Sequence, residues 1–298
     1  MKRDIAVLVT DLDNTLFDWF DIWYTSFSAM LNEIVRISNL PIEVLEREIK
    51  TVHEKHGTSE YAFLIEELPS LAANHPSQNV MEIYAPAIDA YREARRSRLV
   101  LYPSVRETLE HIKASGTLVV GYTESLEFYT TYRLIKLDLD GLLDFVYFPP
   151  DHALPEGLDA NQIRHYDADA YRLRSTQTRR TPKGETKPNP KLLGHILDQC
   201  GADKERTAYV GDKLDKDVRM AQAAGVLDVY AKYGDTVGDE RYELLRRVTH
   251  WRSASVETER QTTQETVSPT YTLEQSFAQL LQRFNFTPFA KPSVADAV

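Results

Sequence analysis

Three observations predict an α/β fold, a parallel sheet with helices on both faces plus an inserted all-helical cap. Short apolar runs recur along the chain with amphipathic stretches between them. The runs are continuous in Val, Ile and Leu rather than alternating, as strands buried on both faces require. One long stretch, between Leu16 and Leu101, contains no strand pattern at all. Strands separated by helices form parallel sheets, and ligands gather beyond the carboxyl ends of such strands.

Ile5–Thr10 reads as the first buried strand, and 1–16 as the first piece of the sheet domain. Residues 17–98 are assigned to the cap, with helical patterns over Phe17–Ile37, Pro41–His56, Ser59–Glu66 and Val80–Arg98. A sheet crossover needs only about a dozen residues, so a block this long is an insertion. Trp19, Phe20, Trp23 and Tyr24 on the first of these helices either wall a pocket or form core.

The sheet domain resumes over 99–287. Strands are expected at Leu118–Tyr122, Phe145–Phe148, Thr207–Val210 and Leu227–Ala231, with a weaker one near Tyr271–Leu273. Helices are expected at Val105–Ser115, Leu126–Leu134, Pro190–Cys200, Lys216–Ala224 and Leu273–Phe284. Two interruptions stand out. The first, 149–182, opens with turn chemistry and carries Arg164, Arg172, Arg174, Arg179 and Arg180. It reads either as a solvated surface loop or as an anion-binding or interface element. The second, 252–269, is rich in Thr, Gln, Ser and Glu and reads as a flexible loop. Residues 288–298 read as a loose tail.

The chain has 298 residues, a net charge of −10 and one cysteine, Cys200. The acidic balance argues against non-specific binding to nucleic acid or anionic lipid. A lone cysteine forms no internal disulfide and fits a reducing, cytoplasmic compartment. The first apolar run is short and ends in Asp11, so it is a strand and not a signal peptide, and no run reaches membrane-span length. Oligomeric state is not legible.

Four strand-end or helix-entry segments carry the chemistry. Asp11-Leu12-Asp13-Asn14-Thr15-Leu16 projects two carboxylates from one strand end, a repulsion that a hard divalent cation relieves. Thr123 follows the Leu118–Tyr122 strand, where a hydroxyl can donate to a phosphoryl oxygen or simply cap a helix. In Lys183-Gly184-Glu185-Thr186-Lys187-Pro188-Asn189-Pro190 two lysines compete to neutralise a transferring group. Pro188 and Pro190 stiffen the chain beside Lys187 and favour it. In Val210-Gly211-Asp212-Lys213-Leu214-Asp215-Lys216-Asp217, Asp212 faces the crevice shared with Asp11, and Asp217 either caps the next helix or orients Asp212.

Together these segments resemble the haloacid dehalogenase-like superfamily, in its phosphatase branch with a helical cap of the C1 type and a Rossmann-like sheet. The resemblance rests on Asp11, Asp13 and Thr15 for the first motif and on Thr123 for the second. Lys187 to Pro190 meet the third, and Gly211, Asp212 and Asp217 the fourth. It covers roughly 1–20 and 99–235. The chain departs from the pattern at Glu124, where many phosphatases carry Asn, Asp or a small residue, and in the length of 149–182.

The resemblance implies a Mg²⁺-dependent phosphohydrolase acting on a small phosphorylated substrate. It implies Asp11 as nucleophile, forming a phospho-aspartyl intermediate, and Asp13 as general acid and base. Thr123 and Lys187 would hold the transferring oxygens. The ion would be held by Asp11, Asp212 and the backbone carbonyl of Asp13, with Asp217 in support. An acid at Asp13 decides against dehalogenation, whose leaving halide needs no proton. A phosphomutase of the same family and a non-catalytic interaction protein on the same fold are the competing expectations.

Overall fold

The computed structural model describes residues 2–154, 167–262 and 266–290. Arg164 and most of the 288–298 tail lie outside the described residues. The chain divides into two compact units, one built from Met1–Asp18, Val100–Asp235 and Thr262–Val298, the other from Trp19–Leu99 and Thr236–Gln261.

The first unit holds the sheet. Its strands are β1 Arg3–Ile5, β2 Val7–Thr10, β3 Leu118–Tyr122, β4 Phe145–Phe148, β5 Gln177–Arg180, β6 Thr207–Gly211, β7 Leu227–Tyr230, β8 Tyr271–Thr272 and β9 Phe284–Phe286. Seven form one sheet in the order β5-β4-β3-β2-β6-β7-β8, and β1 pairs separately with β9. Every pairing is parallel. The α/β prediction therefore holds.

Parallel strands bury both faces, and β2 is buried at all four of its positions. Val7 and Val9 face one way, onto Leu193, Ile196 and Leu197 of the Pro190–Cys200 helix and Met220 of the Arg219–Ala224 helix. Chain order explains where a site can form. From β2 the chain builds outward through β3, β4 and β5, then returns to the other side of β2 with β6, β7 and β8. The ends of β2, β3 and β6 thus flank the topological switch point, where connecting loops diverge and leave a crevice.

Several boundaries differ from expectation. The first strand begins earlier and changes partner at Ala6, whose N–H bonds Arg206 O. The 149–182 segment supplies an edge strand, β5, hidden in the sequence because its exposed side chains are polar. The helix expected over Leu273–Phe284 is confined to Gln279–Arg283, and the residues after it pair with β1.

The second unit is helical, with helices Trp19–Ser38, Ile42–His56, Pro69–Asn74, Val80–Ile83, Ala85–Arg98, Tyr242–Val248 and Ser253–Gln261. Phe20 and Trp23 are buried here, Trp23 stacking on Phe27 with ring centroids 4.8 Å apart and donating from Nε1 to Ser59 O. Trp19 and Tyr24 are partly exposed.

Expectations for this unit need correction at four places. Ser59–Glu66 is not a helix: the Thr58 hydroxyl accepts from Glu60 N, a side-chain bond that competes with helical pairing, and one 3₁₀ turn follows at Ile65–Glu67. Val80–Arg98 breaks at Tyr84, because Pro86 has no N–H to continue the ladder. The loop expected over 252–269 opens with the helix Ser253–Gln261. Residues 236–261 join the helical unit rather than the sheet, since Tyr242, Leu245 and Val248 find their apolar partners there. Phe20 and Tyr242 rings lie 5.2 Å apart, and Arg247 forks onto Glu46 at 2.8 and 2.9 Å. No helix among the described residues is long and apolar enough to cross a membrane.

Candidate active site

β2 ends at Thr10, yet Asp11 N still bonds Val210 O at 2.8 Å, so the Asp11 backbone is held as rigidly as the strand. The chain then turns over Leu12–Leu16, with Leu16 N bonding Leu12 O and Asn14 in the left-handed region at φ 58°. Asparagine tolerates that conformation better than most residues. Two residues beyond β7 brace this turn. The Tyr233 hydroxyl donates to Thr15 O at 2.6 Å, and a Cβ at Gly234 would stand 1.7 Å from Asn14 O. Only glycine permits that approach.

Asp11 and Lys187 form a buried ion pair. Lys187 Nζ also donates to Asp217 Oδ1 at 2.9 Å, and Thr15 Oγ1 lies 3.5 Å from Asp11 Oδ2. Lys187 reaches the site from the entry of the Pro190–Cys200 helix, where Asn189 caps Leu192 N and Pro190 occupies the first turn. Lys183, the competing lysine, has no described contact with these carboxylates.

Asp217 lies inside a π-helical turn, Leu214–Val218, and not at a helix cap. Its carboxylate accepts from Lys187, from the Tyr209 hydroxyl at 2.8 Å and from Lys213 N at 3.1 Å. Gly211 makes room for it, because a Cβ there would meet the Asp217 carboxyl carbon at 2.4 Å.

Asp11, Asp212 and Asp217 present carboxylate oxygens within 4.8 Å of one another, all three residues buried. Asp212 Oδ2 is buried with no hydrogen-bond partner. Burial pushes Asp11 up to about 8, the charges of Asp217 and Asp13 adding to the effect and Lys187 opposing it. Burial likewise holds Asp212 well above the usual carboxylate range, against the pull of Lys213. Burial alone would push Lys187 down, but Asp11 and Asp217 outweigh it and hold the ammonium well above its ordinary value. One cation cannot offset the charge of three ionised carboxyls, so burial and mutual repulsion favour the neutral forms of Asp11 and Asp212, and one Asp212 oxygen is left without a partner. Oxygen donors so clustered fit a hard divalent cation such as Mg²⁺.

The Asp13 carboxylate is not one of these three and has its own partners. It accepts from the Thr123 hydroxyl at 2.9 Å and from Arg133 Nη1 at 3.1 Å. Thr123 Oγ1 in turn accepts from Ser125 N at 3.0 Å. Glu124, the departure from the family pattern, is no open acid in the crevice. It accepts from Lys187 N at 2.9 Å and from Lys216 Nζ at 2.8 Å. Burial would raise its carboxyl, but Lys216 and Lys187 outweigh that and hold it below its ordinary value.

All the site residues singled out in the sequence thus stand at the ends of β2, β3 and β6 or on the helix entry beside them. Arg133, Tyr209, Tyr233 and Gly234 were not singled out. Their nearest signal is a cation, a hydroxyl or a glycine on the elements following each motif, which many residues share. Of the basic insert, Arg179 donates to the Tyr147 hydroxyl at 2.9 Å and Arg180 to Glu127 at 2.8 Å, so these two arginines serve contacts within the sheet unit.

A model of haloacid dehalogenase-like hydrolases matches residues 5–225. Among curated proteins, the glyceraldehyde 3-phosphate phosphatase of Methanopyrus kandleri is 24% identical over 233 residues, 77% of this chain and 85% of its own. The phosphoglycolate phosphatase of Nitrosospira multiformis is 25% identical over 244 residues, 80% of this chain and 88% of its own. Among solved structures, the putative beta-phosphoglucomutase of Thermotoga maritima superposes with a TM-score of 0.51 at 17% identity, covering 93% of this chain and 97% of that one. That likeness speaks to the fold.

Proposed function

The chain belongs to the haloacid dehalogenase-like hydrolases, and from that premise we propose that it is a Mg²⁺-dependent phosphatase of small phosphorylated metabolites working through a phospho-aspartyl intermediate. The observation that carries this reading is the buried Asp11–Lys187 pair beside the partnerless Asp212 oxygen at the switch point.

One Asp11 oxygen attacks phosphorus in line while the bond to the leaving oxygen breaks, giving an acyl phosphate on Asp11 and a free alcohol. Asp13 passes a proton to that leaving oxygen. A water then attacks the acyl phosphate, Asp13 takes its proton, and inorganic phosphate departs with Asp11 restored. Lys187 offsets negative charge gathered on Asp11 and the phosphoryl oxygens, and its bond to Asp217 fixes where the ammonium sits. Thr123 would turn its hydroxyl from Asp13 to a phosphoryl oxygen when substrate binds. Asp11, Asp212 and the backbone carbonyl of Asp13 would hold Mg²⁺, whose charge would attract the phosphate and relieve the carboxylate cluster. Asp217 spends its oxygens on Lys187, Tyr209 and Lys213 N and so serves as a positioning residue.

The substrate class follows the two curated relatives by name: glyceraldehyde 3-phosphate and phosphoglycolate are the first compounds to try, within a wider panel of phosphorylated metabolites. Asp11→Asn is expected to abolish hydrolysis of p-nitrophenyl phosphate in the presence of Mg²⁺ while leaving the circular dichroism spectrum unchanged. Undiminished turnover would overturn the assignment.

A further inference from the structure

Arg133 lies in the second turn of the Glu127–Lys136 helix and is 3% exposed. A guanidinium taken out of water costs several kcal/mol unless hydrogen bonds and an opposite charge replace the lost hydration. Here Nη1 donates to Asp13 Oδ1 at 3.1 Å and to Ser125 Oγ at 3.2 Å. The guanidinium carbon also stands 5.4 Å from the centre of the Tyr129 ring and 6.0 Å from that of Phe17. Those rings, the helix and Ser125 fix the arginine from several sides, so the fork is pre-organised and not a floppy surface cation.

The other hold on Asp13 is weaker in kind. Thr123 has one hydroxyl proton, and it goes to Asp13 Oδ2 at 2.9 Å. A hydroxyl donates to one acceptor at a time, whereas a guanidinium carries five donors. If Thr123 turns its proton to a phosphoryl oxygen, as the phosphatase reading requires, Asp13 loses that bond. Arg133 is the group that can keep Asp13 aimed while Thr123 is engaged with substrate. Through Ser125 it also holds the loop on which Thr123 sits, since Ser125 N donates to Thr123 Oγ1.

We infer that Arg133 is a positioning residue for proton transfer by Asp13, holding that carboxylate toward the leaving oxygen through the catalytic cycle. The inference rests on the phosphatase reading and adds to it a residue that the four motifs do not contain.

The test uses two substrates that differ in how much they need a proton at the leaving oxygen, phenyl phosphate and p-nitrophenyl phosphate, with wild type, Asp11→Asn, Asp13→Asn, Arg133→Gln, Arg133→Lys and Asp13→Asn/Arg133→Gln, all with Mg²⁺. General acid catalysis contributes about 100-fold or more where the leaving group is poor. Arg133→Gln is therefore expected to lose about 100-fold in kcat/KM on phenyl phosphate and about tenfold or less on p-nitrophenyl phosphate, the pattern of Asp13→Asn. The double variant should be no slower than Asp13→Asn alone, because the two residues act as one unit. Arg133→Lys keeps the charge without the fork and should fall between wild type and Arg133→Gln.

Equal losses on the two substrates would assign Arg133 a purely structural role and overturn the inference. So would undiminished rates, or losses that multiply in the double variant. Should Arg133→Gln fail to fold by circular dichroism, the same comparison made with Arg133→Lys decides. A wild type inactive on both substrates, or an Asp11→Asn as fast as wild type, would overturn the phosphatase reading itself and this inference with it.

Discussion

Glu124 concentrates the residue-scale physics of the site. Its carboxylate bridges a backbone N–H, that of Lys187, and a side-chain ammonium, that of Lys216. The first bond anchors the residue whose ammonium meets Asp11; the second prevents the acid from standing unpaired beside a phosphate site. Glu124→Ala removes both, and the shift this permits in Lys187 should lower kcat/KM on p-nitrophenyl phosphate by about 10- to 100-fold. Glu124→Gln keeps an acceptor oxygen for Lys187 N and should lose less. Steady-state kinetics on the two variants check this, and an alanine variant as fast as wild type would remove Glu124 from the machinery. Asp11, Asp13, Thr123 and Asp212 were legible because chemistry-bearing residues stood where apolar runs stopped, and Lys187 because prolines stiffen the chain beside it at a helix entry. Arg133 was not, because its meaning lies in a bond to a residue 120 positions earlier. Gly234 was invisible for a similar reason: what requires glycine there is the Asn14 carbonyl, which the chain reaches only on folding.

Elements show the same division. The strands beside the site were plain from their unbroken apolar runs, while β5 and β9 depend on neighbours for their pairing and carry no run of their own. The Ile42–His56 helix supplies a measurable consequence. His53 is buried, and its ring Nδ1 donates to Val248 O at 2.6 Å, tying this helix to Tyr242–Val248. Burial pushes its pKa down to about 4, against the pull of the Val248 carbonyl. A base whose folded pKa lies below its unfolded value of about 6.5 binds its proton more readily when unfolded, so stability falls as acid is added. The contribution of His53 is present above pH 6.5 and is lost as pH falls from about 6.5 toward 4, amounting to about 3 kcal/mol across that window. Urea unfolding of wild type and His53→Gln at a series of pH values measures it. The wild-type loss should exceed that of the variant by this amount, and parallel curves would show that His53 does not titrate in this way.

For the molecule as a whole, the carboxylate cluster sets activity against stability. Asp11, Asp212 and Asp217 bury negative charge that Lys187 only partly balances. Sites of this kind cost folding free energy that an uncharged substitute would recover. In the presence of a chelator, Asp212→Asn should unfold about 1–2 kcal/mol later than wild type, because it removes a carboxyl whose ionised form burial penalises. Adding Mg²⁺ should reverse the order, stabilising wild type by binding the folded state and leaving the variant nearly unchanged. Thermal unfolding with EDTA and with Mg²⁺ gives both numbers. A wild type indifferent to Mg²⁺ would deny the ion its place among these residues.

The helical unit is made from two pieces of chain, Trp19–Leu99 and Thr236–Gln261, so the backbone passes between units four times. Such a unit cannot be exchanged as a cassette. A graft of 19–99 from a relative would remove His53 and Glu46, leaving the Val248 carbonyl and the Arg247 guanidinium of the host without those partners. Drift in the first segment must therefore be matched some two hundred positions later. Altering this unit, by selection or by design, is a problem in co-editing two distant stretches of one gene.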